Sequence, residues 1–265
     1  MLDATPISHQ RSRGAARVTI GAGGVRDLFQ QGSAKAMLPA THGAVPEVVF
    51  LNTSGGLTGG DTLSFDLSVE DGTSAIAATQ TAERVYASAG GAARADVRLR
   101  IGDGAMCAWL PQETILFNRG ALERVTEVHL SPTARFLGIE TLVLGREAMG
   151  ESLASIALSD VRRVWRGGRL AHAEQVAIGD RDLAAHDARA GLAGARVVSS
   201  LVYLAADAED QLARVRRVVG EAAAVSAWHG RLVVRMMHAD SWVVRQIMAR
   251  AVTILAGRVP RVWQM

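Results

Sequence analysis

Leu63, Phe65, Leu67 and Val69 alternate with Ser64, Asp66, Ser68 and Glu70. That two-residue period is the mark of a strand with one buried face. Similar short runs recur up to about residue 180: Val97, Leu99, Ile101; Met106, Ala108, Leu110; Ile115, Phe117. Turn chemistry separates them at Asp71-Gly72, Gly90-Gly91, Gly102-Asp103-Gly104, Arg119-Gly120, Ser131-Pro132, Gly167-Gly168 and Gly179-Asp180. Strands at this spacing with no helical run between them predict antiparallel or solenoid-like β structure rather than βαβ units. No sequence repeat of fixed period accompanies them, which argues against a regular repeat protein. The run Phe136–Leu144 is apolar on both faces, as in a strand covered on each side, yet it carries Glu140 in its middle.

The texture changes after residue 195. Arg196–Leu204 reads as a strand, and Asp207 is placed to cap a helix whose stripe is Leu212, Val215, Val218 and Val219. Ala222–Trp228 and Arg231–Met237 read as a hairpin joined at His229-Gly230. A second helix, capped by Asp240 or Ser241 and ended by Gly257, carries Val243, Val244, Ile247, Met248, Ala251, Ile254 and Leu255 on one side. The pattern predicts a mainly β single domain over residues 15–265 with two α-helices near the C-terminal end, and a mobile N-terminal tail over residues 1–14.

The stretch LNTSGGLTGGDTL places Gly55, Gly56, Gly59 and Gly60 close to the spacing of a phosphate-binding loop. Such a loop needs a lysine after its last glycine and a helix N-terminus beyond it. Here Asp61 occupies the lysine position and a strand pattern follows. A carboxylate repels phosphate, so the glycines are read as a close-packed turn between strands Glu47–Asn52 and Thr62–Val69.

Composition narrows the function classes. A net charge of +3, with Lys35 the only lysine, is too weak to imply nucleic acid. The arginine clusters Arg162, Arg163, Arg166, Arg169 and Arg214, Arg216, Arg217 read first as solvated faces, with an acidic protein partner as the alternative. Cys107 is the only cysteine, which leaves no internal disulfide and no thiolate zinc cage, and it reads as a small buried hydrophobe. His9, His42, His129, His172, His186, His229 and His238 form no closely spaced pair, so no preformed metal site is expected. The start of the chain lacks the apolar core of a secretory signal, and no apolar run approaches the ~20 residues of a membrane span. A cytoplasmic location is expected.

No nucleophile elbow or triad context is present. The distinctive polar residues are instead carboxylates set among apolar or small neighbours: Asp61, Glu83, Glu113, Glu140 and Glu151. A buried carboxylate is costly unless paired or hydrated. The simplest account is a salt bridge to Arg84, Arg119, Arg135 or Arg146; the sharper one is a water-filled polar path. Two other classes stay in view. Glu113 and Glu140 could serve as acid and base of an enzyme, and the arginines could bind a polyanion, although aromatics for base stacking are scarce at 5%.

Six segments in order, VRDLFQQGSAK (25–35), LNTSGGLTGGD (51–61), TQTAERVYAS (79–88), LPQETILF (110–117), ARFLGIETLVLGREAMGE (134–151) and RVPRVW (258–263), resemble the urease accessory protein UreD (UreH) family. The likeness spans nearly the whole chain. Thr81, Arg84 and Ala87 depart from the alanine, lysine and arginine common in the family. The resemblance implies a helical-sheet-like (β-solenoid-like) fold and a non-catalytic assembly factor. It implies UreF, the GTPase UreG and apo-urease as partners in a hetero-oligomer, and transient nickel rather than a tightly bound cofactor. On that basis Asp61, Glu83 and Glu140 are candidates for a nickel path. Trp242, Trp263 and Met265 are candidates for the surface that meets UreF.

Overall fold

The computed structural model describes residues 11–40, 43–146 and 149–264. Its strands are β1 (Arg13–Gly21), β2 (Gly24–Gly32), β3 (Ala34–Met37), β4 (Glu47–Asn52), β5 (Thr62–Val69), β6 (Ser74–Thr79), β7 (Glu83–Val85), β8 (Ala93–Ile101) and β9 (Met106–Trp109). They continue with β10 (Thr114–Leu116), β11 (Ala121–Leu130), β12 (Arg135–Leu144), β13 (Ala157–Arg166), β14 (Arg169–Ile178), β15 (Val197–Leu204), β16 (Ala224–Trp228) and β17 (Arg231–His238). The helices are α1 (Asp180–Ala184), α2 (Leu212–Val219) and α3 (Ser241–Ala256).

The chain coils. Sheet one, in the order β14-β13-β11-β8-β5-β1-β2, and sheet two, in the order β16-β17-β15-β12-β9-β6-β4-β3 with β10 and β7 beside β12, face each other. From β4 to β13 the backbone passes back and forth between the sheets, so successive strands stack in parallel: β5 on β8, β8 on β11, β11 on β13, and likewise β4 on β6, β6 on β9, β9 on β12. Turns of the coil begin at Thr62, Ala93, Ala121 and Ala157, at uneven intervals. This explains a solenoid without a sequence repeat. Among the named strands of the described residues, antiparallel pairing is confined to the hairpins β1–β2 and β13–β14, to β3–β4 and to the later strands β12, β15, β17 and β16.

Two apolar layers follow from the alternation. Phe136, Leu142 and Leu144 of β12 point into the space between the sheets with Val18, Leu67, Leu99, Leu122 and Val128. Leu137 and Ile139 of the same strand point the other way, into a core closed by α2 and α3 through Val215, Val219, Val244, Met248 and Ala251. The doubly apolar reading of Phe136–Leu144 thus holds for its physical reason. Asp240 caps α3 by accepting the Trp242 N–H at 2.7 Å, and Gly257 ends it in the left-handed conformation at φ 79°.

Three local expectations are corrected. Asp207 does not cap α2; its carboxylate takes the Tyr203 hydroxyl (2.9 Å) and the Gln211 side-chain amide (3.0 Å), and the helix starts at Leu212. The turn at Gly179-Asp180 continues into the short α1, where Asp182 accepts the Gly179 N–H at 2.8 Å. β1 begins at Arg13, inside the segment read as tail, because its edge is paired with both β2 and β5. Residues 1–10 lie outside the described residues.

Candidate functional site

The two-residue period that hides apolar side chains between the sheets also carries polar ones inward. On β11, Arg124 and Thr126 share the phase of Leu122, Val128 and Leu130; on β13, Asp160 and Arg162 share that of Leu158 and Val164; on β14, His172 and Glu174 share that of Val176 and Ile178. Opposite them, sheet two presents Glu140 of β12 beside Ser200 of β15 and Arg235 of β17. These groups form a row of charges inside the sandwich.

Arg124 lies at its centre. Its Nε and Nη2 grip Asp160 at 3.0 and 2.7 Å, and its Nη1 donates to the Thr114 hydroxyl at 2.9 Å. Nη1 also stands 2.9 Å from Glu140 Oε2, although no donor is aligned on that oxygen. The other oxygen of Glu140 accepts the Trp109 indole N–H at 3.2 Å. Arg162 holds Asp160 through Nη2 (2.7 Å) and Glu174 through Nη1 (3.1 Å). Glu174 also receives Ser200 Oγ (2.7 Å) and Arg235 Nε (2.9 Å), and Arg235 reaches solvent.

At the other end Asn52 Nδ2 donates to both oxygens of Glu83, at 3.2 and 3.3 Å. Three cavities line up along the row. One of about 50 Å³ adjoins the glycine turn, bounded by Asn52, Gly55, Gln80, Thr81 and Glu83. A second of about 50 Å³ lies between Glu83, Thr114, Arg124 and Glu140. A third of about 30 Å³ runs from Glu140 to Thr126, His172, Glu174 and Ser200. Glu83 is common to the first two, Glu140 and Trp109 to the last two. Each has room for one or a few waters.

The electrostatics differ along the row. Burial pushes Glu83 up to about 7 against the pull of Asn52 and the nearby arginines. Burial also raises Glu140, opposed by Arg124. Burial would raise Asp160 as well, but Arg124 and Arg162 overcome it and hold that carboxyl down at about 2. Burial lowers His172, whose Nε2 has no partner, so its ring stays neutral.

The raised pKa of Glu83 carries a testable cost. A carboxyl whose folded pKa exceeds its ordinary 4.5 opposes folding increasingly as pH rises from 4.5 to about 7, by about 1.4 kcal/mol for each pH step of one across that interval. Glu83→Gln should therefore stabilise the protein by on the order of 2–3 kcal/mol at pH 8 and hardly at all at pH 4.5. Urea unfolding at the two pH values measures this; equal gains at both would show that Glu83 titrates normally.

The carboxylates singled out in the sequence are thus separated. Glu83 and Glu140 border one cavity. Asp61, also buried, accepts the Ser12 and Thr58 N–H groups at 2.7 and 2.9 Å and so ties down the glycine turn that walls the first cavity. In that turn Gly56 has φ 151°, and a Cβ on Gly59 would lie 2.0 Å from Ser88 Oγ. The turn reading therefore stands. Glu113 pairs with Arg245 and Glu151 with Arg146, which are structural roles. None of the four arginines offered as partners reaches Glu140; Arg124 does, and its place in the inward phase of β11 was the available signal. His172, which no histidine spacing singles out, is buried in the third cavity.

Cys107 is buried, and burial pushes its thiol up to about 12, consistent with an inert hydrophobe. Among the described residues no three histidine, cysteine or carboxylate side chains converge to hold a metal ion, and no helix is long and apolar enough to cross a membrane. Trp242 stands 61% exposed at the start of α3. Trp263 is turned inward, its indole donating to Leu110 O at 3.1 Å, while Met265 lies outside the described residues.

A family model described as the UreD urease accessory protein matches residues 12–264. Urease accessory protein UreD of Cereibacter sphaeroides (strain ATCC 17025) is 50% identical over 263 residues, covering 96% of each chain. The protein of that name from Jannaschia sp. (strain CCS1) is 48% identical over the full length of both chains, and that from Agrobacterium fabrum is 38% identical over 98% of this chain and 94% of its own.

Proposed function

The chain belongs to the UreD family of urease accessory proteins, and from that premise we propose that it carries UreF and UreG onto apo-urease and passes nickel to the urease centre between its two sheets. It is an accessory protein rather than an enzyme. The observation that supports the conduit is the succession of three cavities, the first two both lined by Glu83 and the last two both lined by Glu140.

The chemistry suits a moving cargo. Nickel in transit needs oxygen ligands that exchange readily, whereas a cage of imidazoles or thiolates would trap it. Carboxylates, hydroxyls and a single neutral imidazole succeed one another along the row, never clustered. Four carboxylates (Glu83, Glu140, Asp160, Glu174) lie between the sheets with four guanidinium groups (Arg124, Arg162, Arg231, Arg235). Glu83, titrating at about 7, loses its proton readily when a cation arrives at neutral pH. Asp61 contributes by fixing the turn at the mouth. Trp242, exposed on the helical layer, is the anchor we assign to UreF, in the cytoplasm where urease is assembled.

The other classes fit less well. Glu113 and Glu140 do not share a site, since Arg245 of α3 holds the first and Arg124 the second between the sheets. The arginine cluster around Arg162 is divided, with Arg162 buried on Asp160 and Arg163 outside on Glu127.

Urease produced at limiting nickel without this protein should be folded but nickel-poor and largely inactive. Metal analysis and activity of urease made with and without it provide the test. Equal nickel loading would overturn the proposal.

A further inference from the structure

The two outer faces of the molecule handle charge differently. Outside sheet one, arginines are matched across neighbouring strands, Arg17 with Asp27 (3.2 Å), Arg98 with Asp66 (3.7 Å) and Arg163 with Glu127 (3.6 Å), or along one, Arg94 with Asp96 (3.0 Å). The helical layer over sheet two is not balanced. Between Leu212 and Gln264 the sequence holds nine arginines and two carboxylates, against twenty basic and twenty-four acidic residues in the rest of the chain. The small overall charge conceals a strongly basic region joined to an acidic remainder.

Some of these arginines are engaged. Arg231 and Arg235 point between the sheets, Arg245 and Arg258 pair with Glu113 and Glu47, and Arg216 donates to Val225 O at 2.9 Å. Arg214 and Arg217 on α2, Arg250 on α3 and Arg261 beyond it are exposed, and none pairs with a carboxylate among the described residues. α2 and α3 pack on each other, so these side chains belong to one layer. Of the three acidic residues just before α2, Asp207 is held by Tyr203 and Gln211 and Glu209 by the Gly230 N–H at 2.9 Å, which leaves Asp210 alone to offset the arginines. Trp242, on the same exposed stripe of α3 as Arg250, is the large apolar group in the open on these helices.

We propose that the outer face of α2 and α3 receives an acidic protein surface, with Arg214, Arg217 and Arg250 pairing with its carboxylates around Trp242. The inference rests on the reading that the helical layer meets an accessory partner, and it adds what that partner must carry. Guanidinium forks match carboxylates two bonds at a time, and arginine with tryptophan is the composition typical of interface centres. A nucleic acid would need stacking aromatics, and Trp242 is the only exposed aromatic on these helices.

The test uses the full chain co-expressed with UreF, UreG and apo-urease. The triple variant Arg214→Glu, Arg217→Glu, Arg250→Glu should weaken its capture of UreF by about tenfold or more. Lysines at the same positions should retain most of it, and the wild-type complex should loosen as salt rises. Trp242→Ala is measured alongside. Equal binding by a folded Glu triple variant, while Trp242→Ala weakens the complex, overturns the acidic partner and leaves the docking face in place. Unchanged binding by both overturns the face as well. Retention of single-stranded DNA by the wild type, lost in the Glu variant while UreF capture is unchanged, would reassign the patch to nucleic acid.

Discussion

Replacing Arg124 with methionine should lower folding stability by about 3–5 kcal/mol at neutral pH. Methionine fills most of the space but leaves Asp160, fully buried, and Glu140 without their shared cation. Arg162 still holds Asp160 and Trp109 still donates to Glu140, so the network is broken at its centre rather than erased. The pH dependence has a definite sign. Asp160 is depressed from 3.8 to about 2, so its contribution is complete above pH 4 and is lost as pH falls towards 2. The gap between wild type and Arg124→Met should therefore be widest at pH 7 and narrow in acid. Denaturant unfolding at pH 7 and near pH 2 measures it, with Arg163→Met on the outer face as a control expected to cost under about 1 kcal/mol. An Arg124→Met protein as stable as the control would mean that the buried charges do not act as a unit.

Filling the third cavity should slow nickel transfer without dismantling the complex. Thr126 is the position of choice, because its hydroxyl is buried with no hydrogen-bond partner, so a replacement breaks no bond. Thr126→Met adds bulk to a space of about 30 Å³ at an overpacking cost of roughly 1–3 kcal/mol. Thr126→Val keeps the size and removes only the hydroxyl. With nickel limiting, urease matured by the methionine variant should acquire its metal about tenfold more slowly, equivalent to about 1.4 kcal/mol in barrier height. The valine variant should behave as wild type. Co-purification with UreF and UreG must be intact in both. Normal nickel loading by a folded, complex-forming Thr126→Met protein would remove the cavity from the route. A bulky change at Glu140 is a poorer test, since it would also break the contacts to Arg124 and Trp109.

Much of this architecture was legible in the residues and some was not, for identifiable reasons. Strands such as Thr62–Val69 announce themselves because one face is wet and one dry. Glu140 stood out because its neighbours are apolar on both sides. Arg124 and Asp160 did not, because on an alternating strand a charge in the wrong phase looks like any other charge until the phase is read through it. Asp61 misled in the other direction: its small, apolar surroundings suggested a channel, whereas two backbone amides account for its burial. Parallel stacking was beyond the pattern, since period two reports which face is buried and not which strand lies alongside. The helix caps show the same limit, with Asp240 free to bind its own helix and Asp207 claimed by Tyr203, a partner on the preceding strand.

The cavities follow one another in the direction in which the coil is stacked, from β5 past β8 and β11 to β14. Neighbouring strands lie about 4.8 Å apart, so four such steps give the row of cavities a length of roughly 20 Å. That length is counted in whole turns and is indifferent to how many residues each turn consumes. A coil of this kind has no inherent last turn, but here β2 and β14 fold back antiparallel at the two ends of sheet one and bring the count to a stop. The protein is in this sense a ruler: loops can lengthen or shorten at the rim, while the distance between the two ends of the row of cavities stays the same.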